Sequence, residues 1–436
     1  MPKASLNDVL DTVRLHYREE LAQAVKACLG VVASLSLKNR DHCLPLILEG
    51  GSGRGKSLTI RVINPDRPET KTVLERVDDF TPASFVSHAA NRSKKQLADI
   101  DLLPRIKDKV MLTKELASLF RDEEKELRQN FARLTAILDG EGYKSHSGTQ
   151  GGRGYEGRYI FNWIGATTPI PDRTYQVMAQ LGTRMVSYEI AGAEATEEEL
   201  IDFAGTYQTN EAVEECRRNA NDFMQSHFER YPVESVDPQT IQMTRDTLET
   251  AVRFGRLISR GRMEVSEDEE GLPEDPRRVI LILQTLARGL ALADNRFVVT
   301  EDDLAILRHV AFSSMPLKRR SLLRALITTG GVMNARQVDE ALGVTRPTAL
   351  ARMEELGGTG ICKYENGTSS TSKPAIVRLS EEFEWLLPTP FKEFRGESIE
   401  RKRIPPPLDR HTGRNRLMAA PVVGSASVVE GEGTHL

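Results

Sequence analysis

A glycine-rich segment near the amino terminus constrains the fold more than any other feature of the sequence. Residues 50–57 read Gly-Gly-Ser-Gly-Arg-Gly-Lys-Ser and fit the pattern G-x-x-x-x-G-K-[ST]. The apolar run 44–49 precedes this segment and a helix-forming stretch follows it, which is the strand–loop–helix context that the pattern requires. Successive backbone N–H groups of such a loop surround a phosphate, and the helix N-terminus adds its positive end. The segment therefore predicts a nucleotide-binding loop.

The residues of this loop are the candidate nucleotide ligands: Gly50, Gly51, Ser52, Gly53, Arg54, Gly55, Lys56, Ser57 and Leu58. Lys56 would reach the β- and γ-phosphates of ATP, and the Ser57 hydroxyl would bind Mg²⁺. The Asn/Thr-Lys-x-Asp signature of guanine recognition does not follow the loop, which disfavours a GTPase.

The pattern of apolar residues divides the chain into five segments. Up to about residue 191, strand-like apolar runs alternate with helical stretches, which predicts an α/β fold with a parallel sheet flanked by helices. Helices then predominate to residue 313, and a unit of helices with a two-stranded hairpin follows. We therefore expect an N-terminal helical segment (1–40), an α/β core (41–192), a helical region (193–316), a C-terminal unit (317–390) and a disordered tail (391–436).

Composition limits the class of protein. Apolar residues make up 39% of the chain, which is enough for a sizeable core and excludes a chain that is disordered throughout. The 59 basic residues nearly balance the 63 acidic ones, which excludes a strongly basic protein but is compatible with a local nucleic-acid surface. The four cysteines have no paired spacing, so we expect neither a zinc site nor disulfides, and a reducing cytoplasm is favoured. No apolar run reaches the ~18 residues of a membrane span, and we expect no membrane partner.

An ATPase of this type needs a carboxylate at the end of a strand near the loop, to hold Mg²⁺ and orient water. Glu115, at the end of the run 109–115, is the leading candidate for this catalytic and metal-binding role. Thr113 and Lys114 depart from the usual pattern of four apolar residues followed by Asp-Glu. Asp78 and Asp79 are the alternative, although Asp79 also suits a helix cap.

The order of these features resembles the AAA+ ATPase core. After the loop come an acid-tipped strand, a long helix, a hairpin, and the sequences Gly165-Ala-Thr-Thr-Pro169 and Leu181-Gly-Thr-Arg-Met185. The nearest resemblance is to the helicase-type branch, which includes minichromosome-maintenance helicases and phage or mobile-element replication ATPases. The resemblance covers about residues 40–315 and implies a P-loop core (41–192) with an all-α lid (193–316). It also implies ATP and Mg²⁺ as ligands and self-assembly into a ring, expected to be a hexamer.

The resemblance also assigns roles to single residues. Thr168, or its neighbour Thr167, matches the polar residue that senses the γ-phosphate, although a strand-end turn would equally place it there. Arg184 matches the arginine that such motors insert into the neighbouring subunit's ATP site, with Arg173 as the reserve candidate. An ordinary surface ion pair is the alternative for Arg184.

A second phosphate-sensing arginine is implied at the start of the helix that follows Pro276. The alignment favours Arg278 over Arg277. If Arg184 and Arg278 act in this way, each ATP site is completed by a neighbouring subunit or by closure of the lid.

Two segments are candidate DNA contacts. The Gly-rich stretch 140–158 predicts a projecting hairpin that carries Lys144, His146 and Arg153, and in helicase-type rings an insertion here grips the DNA backbone. A surface hairpin without a partner is the alternative.

The C-terminal unit predicts a winged helix. Its third helix is capped by Thr345, and Arg346, Thr348 and Arg352 would face DNA. Residues 317–360 hold seven basic and four acidic side chains, although winged helices also bind proteins.

The leading hypothesis is an ATP-driven, oligomeric DNA helicase or translocase that serves replication of a phage, plasmid or mobile element. One alternative is an ATP-dependent switch that binds DNA through the winged helix without separating strands. Another is a defence or signalling ATPase with a protein partner.

Overall fold

A computed structural model describes residues 4–87, 94–121, 123–147, 151–182, 184–191, 197–198, 201, 210–265, 273–367 and 373–388. The predicted disordered tail, 391–436, lies outside these residues. The segment up to Pro388 forms one compact unit, in which helices from both ends of the chain pack around the central sheet.

The described strands are β1 (Leu44–Glu49), β2 (Leu74–Arg76), β3 (Val110–Thr113), β4 (Gly142–Ser147), β5 (Gly151–Glu156), β6 (Asn162–Thr167), β7 (Val186–Glu189), β8 (Val332–Asn334), β9 (Cys362–Glu365) and β10 (Ile376–Leu379). The helices of the first half are α1 (Leu6–His16), α2 (Glu19–Ala33), α3 (Lys56–Ile63), α4 (Pro68–Lys71), α5 (Lys94–Ala98), α6 (Leu102–Ile106), α7 (Ala117–Arg121), α8 (Glu124–Leu138) and α9 (Asp172–Leu181). Those of the second half are α10 (Asn210–Arg230), α11 (Arg245–Arg262), α12 (Arg277–Ala293), α13 (Glu301–Ser313), α14 (Leu317–Thr328), α15 (Ala335–Leu342) and α16 (Arg346–Gly358).

A five-stranded parallel sheet in the order β2-β3-β6-β1-β7 lies at the centre of the fold. Leu44 pairs with Asn162, and Leu46 pairs with Val186, so β1 lies between β6 and β7. Because the strands are parallel, their carboxyl ends all lie at one end of the sheet and their amino ends all lie at the other. We call the end at Glu49, Thr113 and Thr167 the carboxyl edge, and the opposite end the amino edge. The predicted α/β class, with a parallel sheet flanked by helices, is confirmed.

Side-chain alternation along the strands creates two hydrophobic cores, one on each face of the sheet. Leu46 and Leu48 of β1 point into the core that includes α1, α2 and α12, whereas Ile47 points into the core that includes α8 and α9. Both faces are therefore covered by helices, which explains why these strands are apolar without a break rather than alternating.

The apolar spacing of residues 5–38 predicts a continuous helix, but this N-terminal segment forms two helices. A capping box between Ser5 and Asp8 begins α1, and the chain becomes extended at Tyr17, so a second helix starts at Glu19. The break carries no glycine or proline. It allows α1 to pack against both α2 and α10, which a continuous helix could not do.

The sequence pattern also predicts a helix over 114–138, but helix begins only at Ala117 and is divided into two. Residues 114–116 continue along the sheet, where the Leu116 N–H donates to the Ala166 carbonyl, and α7 and α8 follow. The sequence pattern predicts a further helix over 82–95. Its first part is wrong, because 82–84 form a 3₁₀ turn, and residues 88–93 lie outside the described residues.

Two antiparallel elements complete the fold. The predicted hairpin is confirmed as β4–β5, in which Tyr143 pairs with Tyr155. In the C-terminal unit, α14–α16 pack beside a three-stranded sheet in the order β8-β10-β9, where two strands had been predicted. The additional strand, β8, is only three residues long and leads directly into α15 through Asn334.

No helix among the described residues is long and apolar enough to cross a membrane. All four cysteines are buried as free thiols.

Candidate nucleotide-binding site

The predicted phosphate loop lies at the carboxyl edge, between β1 and α3. Gly53 and Gly55 both adopt positive φ, +76° and +87°, so the loop depends on residues that tolerate left-handed backbone. At Gly55 a Cβ atom would also lie 2.8 Å from Leu21 Cδ1, because α2 passes close to the loop. The left-handed backbone therefore favours glycine at this position, and a side chain here would also require Leu21 to shift.

Lys56 is held inside the loop by the loop itself. Its Nζ donates to the Gly50 and Gly51 carbonyls, each at 2.7 Å, and its side chain is largely buried. Burial lowers the pKa of Lys56, and the negative charge of Glu115 partly opposes that shift. The Lys56 ammonium group lies next to Ser57, whose side chain is exposed. An ammonium group fits a nucleotide phosphate, and a neighbouring hydroxyl fits the Mg²⁺ that accompanies it.

Glu115 is the acid that the structure brings to the loop. It lies just beyond β3 at the carboxyl edge, and its side chain is exposed. Its Oε1 accepts a hydrogen bond from the Ala117 N–H at 2.8 Å, which fixes the carboxylate at the start of α7. Only β6 separates β3 from β1, so about 10 Å lies between the strand that carries Glu115 and the strand that leads into the phosphate loop.

The alternative acids lie farther from the loop. They follow β2, which is the edge strand and is separated from β1 by β3 and β6, so that about 14 Å lies between β2 and β1. Asp78 is also engaged by Arg76, whose Nε donates to Oδ1 at 2.9 Å, and this bond lowers the pKa of Asp78. Position in the sheet therefore favours Glu115.

Thr167 is the last residue of β6, beside the loop, and Thr168 follows it. Thr167 pairs with Glu49, and its carbonyl accepts the Gly50 N–H at 3.3 Å. The Thr167 hydroxyl is buried and has no hydrogen-bond partner among the described residues, whereas Thr168 is half-buried. Of the two threonines, Thr168 is the more exposed. Arg173, the reserve candidate for the role of Arg184, is exposed on α9. This helix begins shortly after β6 ends at the carboxyl edge.

Arg184 and Arg278 lie together at the amino edge, on one carboxylate. Arg184 Nε and Nη2 donate to the two oxygens of Asp139 at 3.0 and 3.2 Å, and Arg278 Nη1 lies 2.8 Å from Asp139 Oδ1. Arg184 Nη1 also donates to the carbonyls of Leu181 and Gly182. The two arginines that were predicted separately thus form one cluster.

This arginine cluster is not next to the phosphate loop of its own chain. It borders a cavity of about 470 Å³ that Asp41 and His42 also line, and these two residues precede β1. The phosphate loop follows the other end of β1, which is six residues and about 20 Å away. Within one chain, the loop and the two arginines therefore lie at opposite edges of the sheet.

The hairpin presents its candidate DNA contacts on two faces. Lys144 and His146 are exposed on one face, opposite glycines in the pairing, and Lys144 forms an ion pair with Glu156. Arg153 is half-buried and belongs to the other face, together with Tyr155. The Tyr155 hydroxyl donates to Asp101 Oδ2 at 2.8 Å and fastens the hairpin to the core.

The first turns of α16 carry the other candidate DNA contacts. Arg346 and Thr348 are exposed, and Arg352 is half-buried with a buried Nε that lacks a hydrogen-bond partner in the described part of the chain. Thr345 occupies the N-cap position as predicted, but its hydroxyl bonds to that of Thr348 at 2.9 Å instead of to the backbone.

The positive charge counted over 317–360 is largely compensated. Six of its seven basic residues have a carboxylate partner: Lys318–Asp172, Arg319–Glu355, Arg320–Glu49, Arg324–Glu189, Arg336–Glu340 and Arg346–Asp339. Asp172, Glu49 and Glu189 belong to the α/β core, so composition of the C-terminal unit alone overstated its basic surface.

A buried ion cluster connects the phosphate-loop strand to the C-terminal unit and was not predicted. Arg320 donates to Glu49 Oε2 at 2.8 Å and to Glu189 Oε1 at 3.0 Å. Burial raises the pKa of Glu49 in spite of this partner. A signal was present in the sequence, because helical spacing places Arg319 and Arg320 on the same face as the apolar residues of α14.

Asp139 was also missed. An acid at the end of an amphipathic helix is an ordinary feature of a sequence, and only the three-dimensional structure reveals that two distant arginines bind it. No group of acidic, histidine or cysteine residues in the described part of the chain forms a metal centre.

Comparison with known proteins does not identify the chain: no protein family and no curated protein matches it.

Proposed function

We propose that the protein is an ATP-hydrolysing DNA motor that acts as a homo-oligomeric ring, expected to be a hexamer. One observation carries the proposal. The phosphate loop with Glu115 lies at the carboxyl edge of the sheet, whereas Arg184 and Arg278 lie together at the amino edge. If both groups act on one ATP molecule, a second copy of the chain has to supply one of them.

Each residue then has a definite task. Lys56 and the loop N–H groups bind the β- and γ-phosphates, while Ser57 and Glu115 hold Mg²⁺, which neutralises phosphate charge. Glu115 and Thr168 orient the attacking water. Arg184 and Arg278 of the adjacent subunit stabilise the charge that develops on the transferred phosphoryl group.

The finer assignment of the fold belongs to this proposal. We take residues 41–192 as an AAA+ core, α10–α13 as its lid, and α14–α16 with β8–β10 as a winged helix. The support is the parallel sheet with its loop, together with three helices beside a three-stranded antiparallel sheet.

DNA is the proposed partner because two elements present suitable donors. The exposed Lys144 and His146 project from the hairpin, and Arg346 and Thr348 are exposed on α16. Such donors contact phosphates without sequence preference.

The test is ATP hydrolysis by the full chain with and without DNA. We expect DNA to raise the rate and the Lys56→Ala variant to bind no ATP. An active ATPase that single-stranded and duplex DNA both leave unchanged would refute a DNA motor.

A second candidate, an ATP-dependent DNA-binding switch, is favoured by the buried contact between Arg320 and Glu49. This contact joins the C-terminal unit to the strand that carries the phosphate loop. A strand-displacement assay separates the two functions, because a motor unwinds a forked duplex and a switch only binds it.

A further inference from the structure

Two arginines of the cluster at the amino edge depend on the same carboxylate. Asp139 is the carboxylate partner of both Arg184 and Arg278. Of the other acids that line the cavity, Asp275 lies 3.4 Å from Arg277, Glu274 lies 3.5 Å from Arg262, and Asp41 lies 2.6 Å from His42. Arg184 and Arg278 thus share one carboxylate, and an anion that reached them would compete with Asp139 for their donors.

Most of the N–H donors of Arg184 are engaged within its own chain in this arrangement. Its Nε and Nη2 are on Asp139, and its Nη1 donates to the Leu181 and Gly182 carbonyls. The conformation depends on Gly182, because a Cβ atom there would lie 2.8 Å from Arg184 Nη1. Asp139 therefore occupies the donors that a phosphate would need.

Asp139 also lies three residues before β4, the first strand of the hairpin. It caps α8, the next residue is Gly140 with φ +78°, and the Gly140 carbonyl accepts the Tyr159 N–H at 2.8 Å at the base of the hairpin. A change in the partners of Asp139 therefore acts directly on the point from which β4 and β5 project.

We propose that Asp139 is an internal competitor of ATP: it holds Arg184 and Arg278 until the γ-phosphate of a neighbouring copy displaces it, and its release repositions the hairpin. This inference rests on the proposed function. Asp139 is a regulatory residue in this account, because it contacts neither ATP nor the reacting atoms. DNA that binds the hairpin would favour release and thereby raise the rate of hydrolysis.

The test is the Asp139→Asn variant, compared with Asp222→Asn. Asp222 pairs with Arg67 away from the cluster, and its side chain is 30% exposed, as is that of Asp139. Two properties are measured: assembly with a non-hydrolysable ATP analogue by analytical ultracentrifugation, and ATP hydrolysis with and without DNA.

For Asp139→Asn we expect assembly at about three- to tenfold lower protein concentration, because partly exposed ion pairs of this kind contribute modestly. The rate without DNA should rise by a similar factor, so that stimulation by DNA shrinks. Asp222→Asn should match the wild type, and adding Arg184→Ala to Asp139→Asn should remove the gain in assembly.

Unchanged assembly and rate in Asp139→Asn would overturn the inference. A loss of turnover as large as that of Arg184→Ala, without easier assembly, would also overturn it, because Asp139 would then position the arginines. Failure of the proposed function is recognised separately: the wild type would neither assemble with the analogue nor hydrolyse ATP, and both proposals would fall.

Discussion

The Arg320→Met substitution tests the buried ion cluster between the phosphate-loop strand and the C-terminal unit. The side chains of Arg320 and Glu49 are each only 1% exposed. Methionine preserves most of the volume but removes the donors to Glu49, to Glu189 and to the Ser313 carbonyl. Glu189 keeps Arg324 at 2.8 Å, so the main loss falls on Glu49, whose remaining donor is the Ile170 N–H at 3.0 Å.

Removing one partner of a buried ion pair leaves an uncompensated charge and costs about 3–5 kcal/mol. We therefore expect the free energy of unfolding, measured by urea denaturation at about pH 8, to fall by this amount. The matched control is Arg336→Met in the same unit. Arg336 is 80% exposed and pairs with Glu340 one helical turn away, so its loss should cost less than about 0.5 kcal/mol.

The pH dependence supplies a second test of the same substitution. Burial raises the pKa of Glu49 in the folded state, so the folded chain binds more protons than the unfolded chain between the two pKa values. The contribution of Glu49 to stability is therefore greatest at a pH below its pKa in the unfolded chain. It is lost as the pH rises through the pKa of Glu49 in the folded chain. Without Arg320 the folded pKa rises further, and the cost of Arg320→Met should be smaller at about pH 5 than at about pH 8.

The charge explanation also predicts a rescue. Adding Glu49→Gln to Arg320→Met removes the unpaired charge and should recover part of the lost stability. The reasoning would be refuted if Arg320→Met cost less than about 1 kcal/mol, or if its cost were the same at both pH values.

Two further predictions concern the candidate contacts with ligands. Gly55→Ala should weaken ATP binding at least about tenfold by isothermal titration, because alanine is strained at φ +87° and meets Leu21; an unchanged affinity would mean that the loop has another conformation. Arg346→Ala should lower affinity for every DNA sequence alike and reduce the salt dependence of binding by about one counterion in fluorescence anisotropy. Arg336→Ala is its control on α15, and equal effects of the two would argue against a contact by α16.

Local patterns predicted the elements around the phosphate loop well, because each depends on neighbours in sequence. The apolar run of β1, the glycines of the loop and the start of α3 are contiguous, and strand–helix alternation then implies a parallel sheet. The break at Tyr17 carries no glycine or proline and results from packing of α1 against α10. The strand β8 was missed since three residues show no clear periodicity.

The candidate site was predictable only in part, because local patterns do not show which segments meet in the fold. The phosphate loop and Glu115 come from single segments. By contrast, the contact of Asp139 with Arg184 and Arg278 joins three segments that only the tertiary structure brings together. The count of basic residues over 317–360 likewise missed that Glu49 and Glu189 neutralise Arg320 and Arg324.

The central claim is that a site at the carboxyl edge of one copy is completed by Arg184 of another. Mixing two inactive variants, Lys56→Ala and Arg184→Ala, tests it most directly. In a mixed ring, an intact phosphate loop from the Arg184→Ala chain can meet an intact Arg184 from the Lys56→Ala chain. We predict that ATP hydrolysis returns on mixing, although each variant alone is inactive. Arg184→Ala that is fully active alone, or variants that co-assemble yet remain inactive together, would contradict the account.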